Sequence, residues 1–301
     1  MEEDVSTIYW AEKPELYRPT LVAAFAGWPD AGEVASGALR YLAAKLGARR
    51  LGHFPSDEFY DFTSARPVVA IEKGAVQSLR YPSTDLFYWR NPAGERDLVV
   101  LLASEPQLRW RRYLRTVVHL VNEVGAELVV TLGGLYDSVP HTAAPPISGL
   151  ATSPALRERL ARAGVALTDY QGPSSIHSAL VQALQQNGVE SVSLWGHAPI
   201  YVRAIANPKV CHALLEKLCH LVAVPLNLDD LRAAGEYLDR TLSRLLGQNE
   251  ELRLYVNRLQ AQQESGSEPA AEAAEDTERI IRDVEEFLRR EQRRAQDEPE
   301  E

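Results

Sequence analysis

The chain has 301 residues, 45% apolar and 25% charged, which is ordinary for a globular protein and long enough for a large buried core. Of its formal charge of −10, the segment 264–301 with 14 acidic and 6 basic residues carries −8, so residues 1–263 are close to neutral. A near-neutral body with one dense basic run (Arg109, Arg111, Arg112, Arg115) excludes a nucleic-acid surface, and that run reads as the solvated face of a helix. No apolar stretch reaches membrane length and no secretory leader pattern opens the chain, so the expected setting is cytoplasmic and reducing, with no membrane contact.

Residues 1–19 are polar with isolated aromatics and read as an arm that packs late. Leu21 to Ala26 is a short apolar run, broken at Gly27-Trp28-Pro29-Asp30, and Ala31 to Leu46 has helical periodicity through Val34, Ala38 and Leu42. Pro67 to Ile71 and Leu98 to Ala103 read as buried strands. Between Gly52 and Asn91 aromatic and polar residues alternate, which indicates antiparallel or mixed strands and long loops without a helix. Leu108 to Val124 is a helix with Trp110, Leu114, Val117, Val118 and Val121 on one side. Leu128 to Leu132 is a buried strand ended by Gly133-Gly134. Pro154 to Ala163 is a helix capped by Ser153. Ser175 to Asn187 is a helix, Val189 to Trp195 a strand, and Pro208 to Val222 the last helix of the body. Cys211 and Cys219, eight residues apart on it, are too distant for a disulfide with each other and read as small core residues. Strands apolar on both faces, alternating with helices, predict an α/β fold with a mainly parallel sheet covered on both sides.

Behind the body, Leu231, Leu238, Leu245, Leu252 and Leu259 recur every seventh residue, with Gly235, Leu242, Asn249 and Val256 between them. That is a coiled-coil seam on a helix expected from about Asp229 to Gln262. A linker over 264–274 leads to a second helix, Asp276 to Arg294, with Ile280, Ile281, Val284, Phe287 and Leu288 on one face. The leucines pair either between subunits or with the second helix of their own chain. The antiparallel hairpin within one chain is favoured, because the second helix has an apolar face that needs a cover. The expected division is a body over 1–226, a helical hairpin over 227–296 and an acidic tail over 297–301.

Several motifs coincide in order and spacing: Gly27-Trp28-Pro29-Asp30-Ala31-Gly32, Tyr60-Asp61-Phe62 with Arg66-Pro67, Glu105-Pro106, Val139-Pro140-His141-Thr142, Tyr170-Gln171-Gly172-Pro173-Ser174, Ser193-Leu194-Trp195-Gly196-His197-Ala198-Pro199 and Asn207-Pro208-Lys209. Together they resemble the proteasome assembly chaperone 2 family in its prokaryotic branch, from about Leu21 to Arg294. The resemblance implies a three-layer α/β/α body similar to nucleoside phosphorylase-type folds, a helical appendage and a homotrimer. It also implies a chaperone-like role toward a proteasome-type ring. Eukaryotic and some archaeal relatives end in a hydrophobic-Tyr-any docking tripeptide, whereas this chain ends Asp297-Glu298-Pro299-Glu300-Glu301.

No complete catalytic constellation is legible, so the expected role is non-enzymatic, with no cofactor and no metal. The alternative is a small-molecule or nucleoside/phosphate pocket at the strand ends, lined by Gly27, Trp28, Asp30, Gly133, Gly134, His141, Trp195 and His197. Turn glycines, packed tryptophans and hydrogen-bonded histidines are the structural account of the same residues. Asp30 with Glu33 three residues on fits a capping box. Asp169, Ser174, Ser175 and His177 are close in sequence but lack a nucleophile elbow, and Ser174 stands where a helix cap is expected. Phe59, Tyr60, Asp61 and Arg66 read as a packing or subunit-interface cluster, with Arg66 paired to Asp61.

Overall fold

The computed structural model describes residues 5–203, 206–265 and 274–297. The apolar runs become β2 (Thr20–Ala26), β7 (Leu98–Ser104), β8 (Leu128–Asp137) and β11 (Glu190–Pro199), four parallel neighbours in the order β7-β2-β8-β11. Strands buried on both faces need two covers, and helices supply them. On one face, α1 (Val34–Leu46) and α6 (Pro208–Val222) bring Leu39, Leu42, Leu214 and Leu218 onto Val22, Val130 and Val192. On the other, α3 (Trp110–Val124) and α5 (Ile176–Gln186) bring Tyr113, Val117, Val121 and Leu180 onto Leu21, Val99 and Val129. The result is the three-layer α/β/α body that the alternating pattern predicts.

Antiparallel strands extend this centre. β6 (Thr84–Trp89) pairs with β7, β3 (Arg49–Phe54) with β6, and β1 (Tyr9–Trp10) with β3. The amino-terminal arm is therefore part of the sheet. Gly52 permits this, because a Cβ there would stand 2.4 Å from the Tyr9 carbonyl oxygen. At the other end β9 (Ile147–Ala151) runs antiparallel to β11 and β10 (Ala166–Leu167) parallel to β9, with α4 (Pro154–Arg162) between them. Ser153 caps α4 as expected, accepting from the Leu156 N–H at 3.3 Å.

Residues 52–91 depart from the reading in two places. A single helical turn, α2 (Ser56–Phe59), interrupts the loops. The run expected as a buried strand is β4 (Val68–Glu72), which pairs only with β5 (Ala75–Arg80) in a hairpin separate from the main sheet. Val68, Ile71 and Val76 are 59%, 63% and 65% exposed. An apolar run does not reveal what lies beside it, and among the described residues this one pairs with β5 alone.

The seam helix is two helices, α7 (Asp229–Leu246) and α8 (Glu250–Ser265). Asn249 is not a register residue; its side chain accepts from the Leu252 N–H at 2.9 Å and caps α8. Gly235 is where α7 meets α6: a Cβ there would lie 3.1 Å from Lys209 Cα. α9 (Ala274–Asp297) returns antiparallel, with Arg279 on Glu251, Asp283 on Asn249 and Glu291 on Arg244. Leu238, Leu245, Leu252 and Leu259 pack with Ile280, Ile281, Val284 and Leu288 of the same chain, and Tyr201 and Val202 of the body join that cluster. Within the chain the hairpin covers these four leucines, while Leu231 packs on the body core. The acidic tail and most of the expected linker lie outside the described residues.

Candidate functional site

β2, β7, β8 and β11 all end at one edge of the sheet, where ligands of open α/β folds bind. Side chains fill that edge between Gly27 and Gly134. Gly133 lies under the Trp195 ring, 2.7 Å from where a Cβ would be, and Gly134 under Val34 and the Ala31 carbonyl at 2.3 and 2.8 Å. These glycines make room for packing rather than for a ligand. Gly27 (φ +118°) turns the chain beside Glu105, and Trp28 points outward at 67% exposure.

Asp30 is a buried cap, although not in a capping box. Residues Ala31–Glu33 form a 3₁₀ turn before α1, and Asp30 Oδ1 reaches past it to accept from Ala35 and Ser36 N–H at 2.8 and 3.2 Å. Glu33 turns outward to Arg40 at 3.0 Å. Burial raises the Asp30 carboxyl above its ordinary pKa, against the lowering effect of those bonds.

His141, in the loop after β8, lines a small cavity together with His197 and Pro199 at the end of β11. It is buried, its Nδ1 2.7 Å from Tyr201 Oη, with Nε2 left without a partner. Lys209 donates to the His141 carbonyl and pairs with Asp239 of α7 at 2.7 Å, which ties body to hairpin. This cavity of about 10 Å³, which Asn207, Lys209 and Asp239 also line, has the size of one water.

The sequence cluster around residues 169–177 is not a triad. Ser175, not Ser174, caps α5, and His177 is buried against Phe25 and Trp195 with neither ring nitrogen bonded. The interface cluster also divides. Phe59 and Tyr60 belong to the chain's own core, and Tyr60 Oη bonds Thr84 Oγ1 at 2.7 Å. Asp61 takes hydrogens from Thr63 and Ser64 instead of pairing with Arg66. These bonds hold its carboxyl below the usual range. Both cysteines are free; Cys211 is buried in the core, and burial pushes its thiol up to about 12.

His197 is the candidate that gains partners. β8, β9 and β11 bring three side chains together: His197 Nδ1 lies 2.7 Å from Asp137 Oδ2, and Nε2 lies 2.8 Å from Ser148 Oγ. All three are partly exposed. Asp137 is held below the ordinary carboxylate range, chiefly by the His197 hydrogen bond. Sequence reading missed Asp137 and Ser148. The strand register that faces Trp195 to both Ser148 and Gly133 is what assembles the set, and Ser148 lies on a strand with no long apolar run to announce it.

Comparison with known proteins places this architecture. A PAC2 protein from Streptomyces avermitilis is 34% identical, with 79% of this chain and 99% of that one covered, at a TM-score of 0.72. A proteasome-assembly chaperone homologue from Mycobacterium tuberculosis is 32% identical over the same shares, also at 0.72. A protein of unknown function from Mycobacterium tuberculosis, 24% identical, shares the fold over 92% of this chain and 95% of its own, at 0.79. The PAC2 family model matches residues 24–246, the span from the end of β2 through both helical layers to α7, and the chain belongs to the PAC2 family.

Proposed function

We propose that this protein is an assembly chaperone or scaffold that works in the cytoplasm as a homo-oligomer, a trimer by family resemblance, on the subunits of a proteasome-type ring. The supporting relative is the proteasome-assembly chaperone homologue at 32% identity. The observation that carries the reading is the β4–β5 hairpin. Val68, Val69, Ile71, Val76 and Leu79 are each about half exposed or more, on a two-stranded element with both edges open. A two-stranded hairpin is marginal in water on its own, and exposed apolar edges invite pairing. Such an element suits a partner surface, and Asp61 and Arg66 at its base belong to the proposed interface. Arg66 stands just before β4, and the Phe62 ring packs tilted against Tyr81, just after β5, at 5.1 Å between centroids.

The test is Ile71→Asp with Val76→Asp. Neither side chain is buried in the monomer, so the melting temperature is expected to stay within about 2 °C. Light scattering should show a smaller assembly, and added protein should no longer speed ring formation by purified proteasome subunits. A variant that assembles and accelerates ring formation like the wild type would end this reading.

A further inference from the structure

The hydrogen-bonded row Asp137–His197–Ser148 has the connectivity of a nucleophile, a base and a group that orients the base. An ionised carboxylate only accepts, so the 2.7 Å contact places the imidazole proton on Nδ1 and leaves Nε2 to accept from Ser148 Oγ at 2.8 Å. The three residues come from three strands of a rigid sheet, which fixes their geometry better than loops do. They stand where the parallel strands end, partly open, unlike the sealed His177. The His197 and Asp137 side chains keep 16% and 38% of their surface exposed, and Trp195 faces Ser148 in register as a half-buried wall.

We propose that Ser148 is an activated nucleophile, with His197 as its general base and Asp137 as a positioning residue, and that it hydrolyses small carboxylic esters. Ser148 Oγ bonds to the ester carbon as its proton passes to His197 Nε2. The carbon–oxygen bond to the leaving alcohol then breaks, and that alkoxide takes the proton from His197. Water, deprotonated by the same nitrogen, releases the acid and restores the serine. General-base assistance of this kind contributes about 10²–10⁴-fold. The site is separate from the β4–β5 hairpin, so this activity and the chaperone reading stand or fall independently.

The test treats the full chain with a fluorophosphonate probe, which forms an Oγ–P bond on an activated serine and expels fluoride, and maps the adduct by mass spectrometry. 4-Nitrophenyl acetate hydrolysis is followed alongside. Labelling is expected at Ser148, with hydrolysis at least about tenfold above Ser148→Ala. Asp137→Asn should slow labelling at least about tenfold at an unchanged melting temperature, and Asp137→Glu should recover part of the rate. His197→Gln should abolish labelling. Absence of an adduct on folded wild-type protein would overturn the proposal, whether or not any variant folds. So would labelling of Ser148 that is undiminished in folded Asp137→Asn or His197→Gln.

Discussion

At the residue scale, buried histidines set the acid stability of the molecule. Burial pushes His177 down to about 3 and His141 down to about 4. The unfolded chain binds protons near pH 6.5 that the folded chain refuses, so this stability is full above about 6.5 and is lost as pH falls toward 4 and then 3. Between pH 7 and 5 each histidine is expected to remove about 2 kcal/mol. Asp30 and Glu105, raised by burial, act in the opposite sense at lower pH. Comparing variants isolates the imidazole contribution. His177→Phe removes two unbonded buried nitrogens and keeps the ring between Phe25 and Trp195. Urea unfolding should show it at least as stable as wild type at pH 7 and about 2 kcal/mol more stable at pH 5.

At the scale of elements, a glycine judged by sequence alone is a helix weakener, but the packing around it decides its effect. Gly235→Ala on an isolated helix would gain about 1 kcal/mol. Here the added methyl meets the Lys209 backbone at 3.1 Å, where α6 has little room to yield. The variant is expected to be less stable by about 1–2 kcal/mol in calorimetry, since overpacking outweighs propensity. The β4–β5 hairpin shows the converse. Lys73 and Gly74 both have positive φ, +49° and +80°, and join the strands as a tight two-residue turn. Lys73→Asn suits that turn better and should slow hairpin amide exchange without moving the global melting temperature.

At the scale of the whole molecule, the body and the helical hairpin share a core. Tyr201 and Val202 of the body lie within the cluster built by α7, α8 and α9. The proposed division at residue 226 is therefore a boundary of architecture, and we expect it to fail as one of independent folding. A chain ended after Gly247 would expose Tyr201, Leu238, Leu242 and Leu245 and should bind a hydrophobic dye and aggregate, measured by fluorescence and by sedimentation. A soluble, dye-negative truncation would show that the body stands alone.

The central parallel strands, their covering helices and the paired terminal helices were legible in the chain, because burial on two faces or on one helical stripe writes a period of its own into the sequence. So were local devices such as the Ser153 cap, which depend on neighbours a few residues away. What lies alongside a segment had no such signature. The exposure of Val68–Glu72 and the filling of the Gly133 edge by Trp195 are set by what packs beside them, and the meeting of Asp137, Ser148 and His197 joins residues 60 and 49 positions apart in the chain. Register between strands brings those residues within a hydrogen bond of one another, and register is a property of the folded sheet.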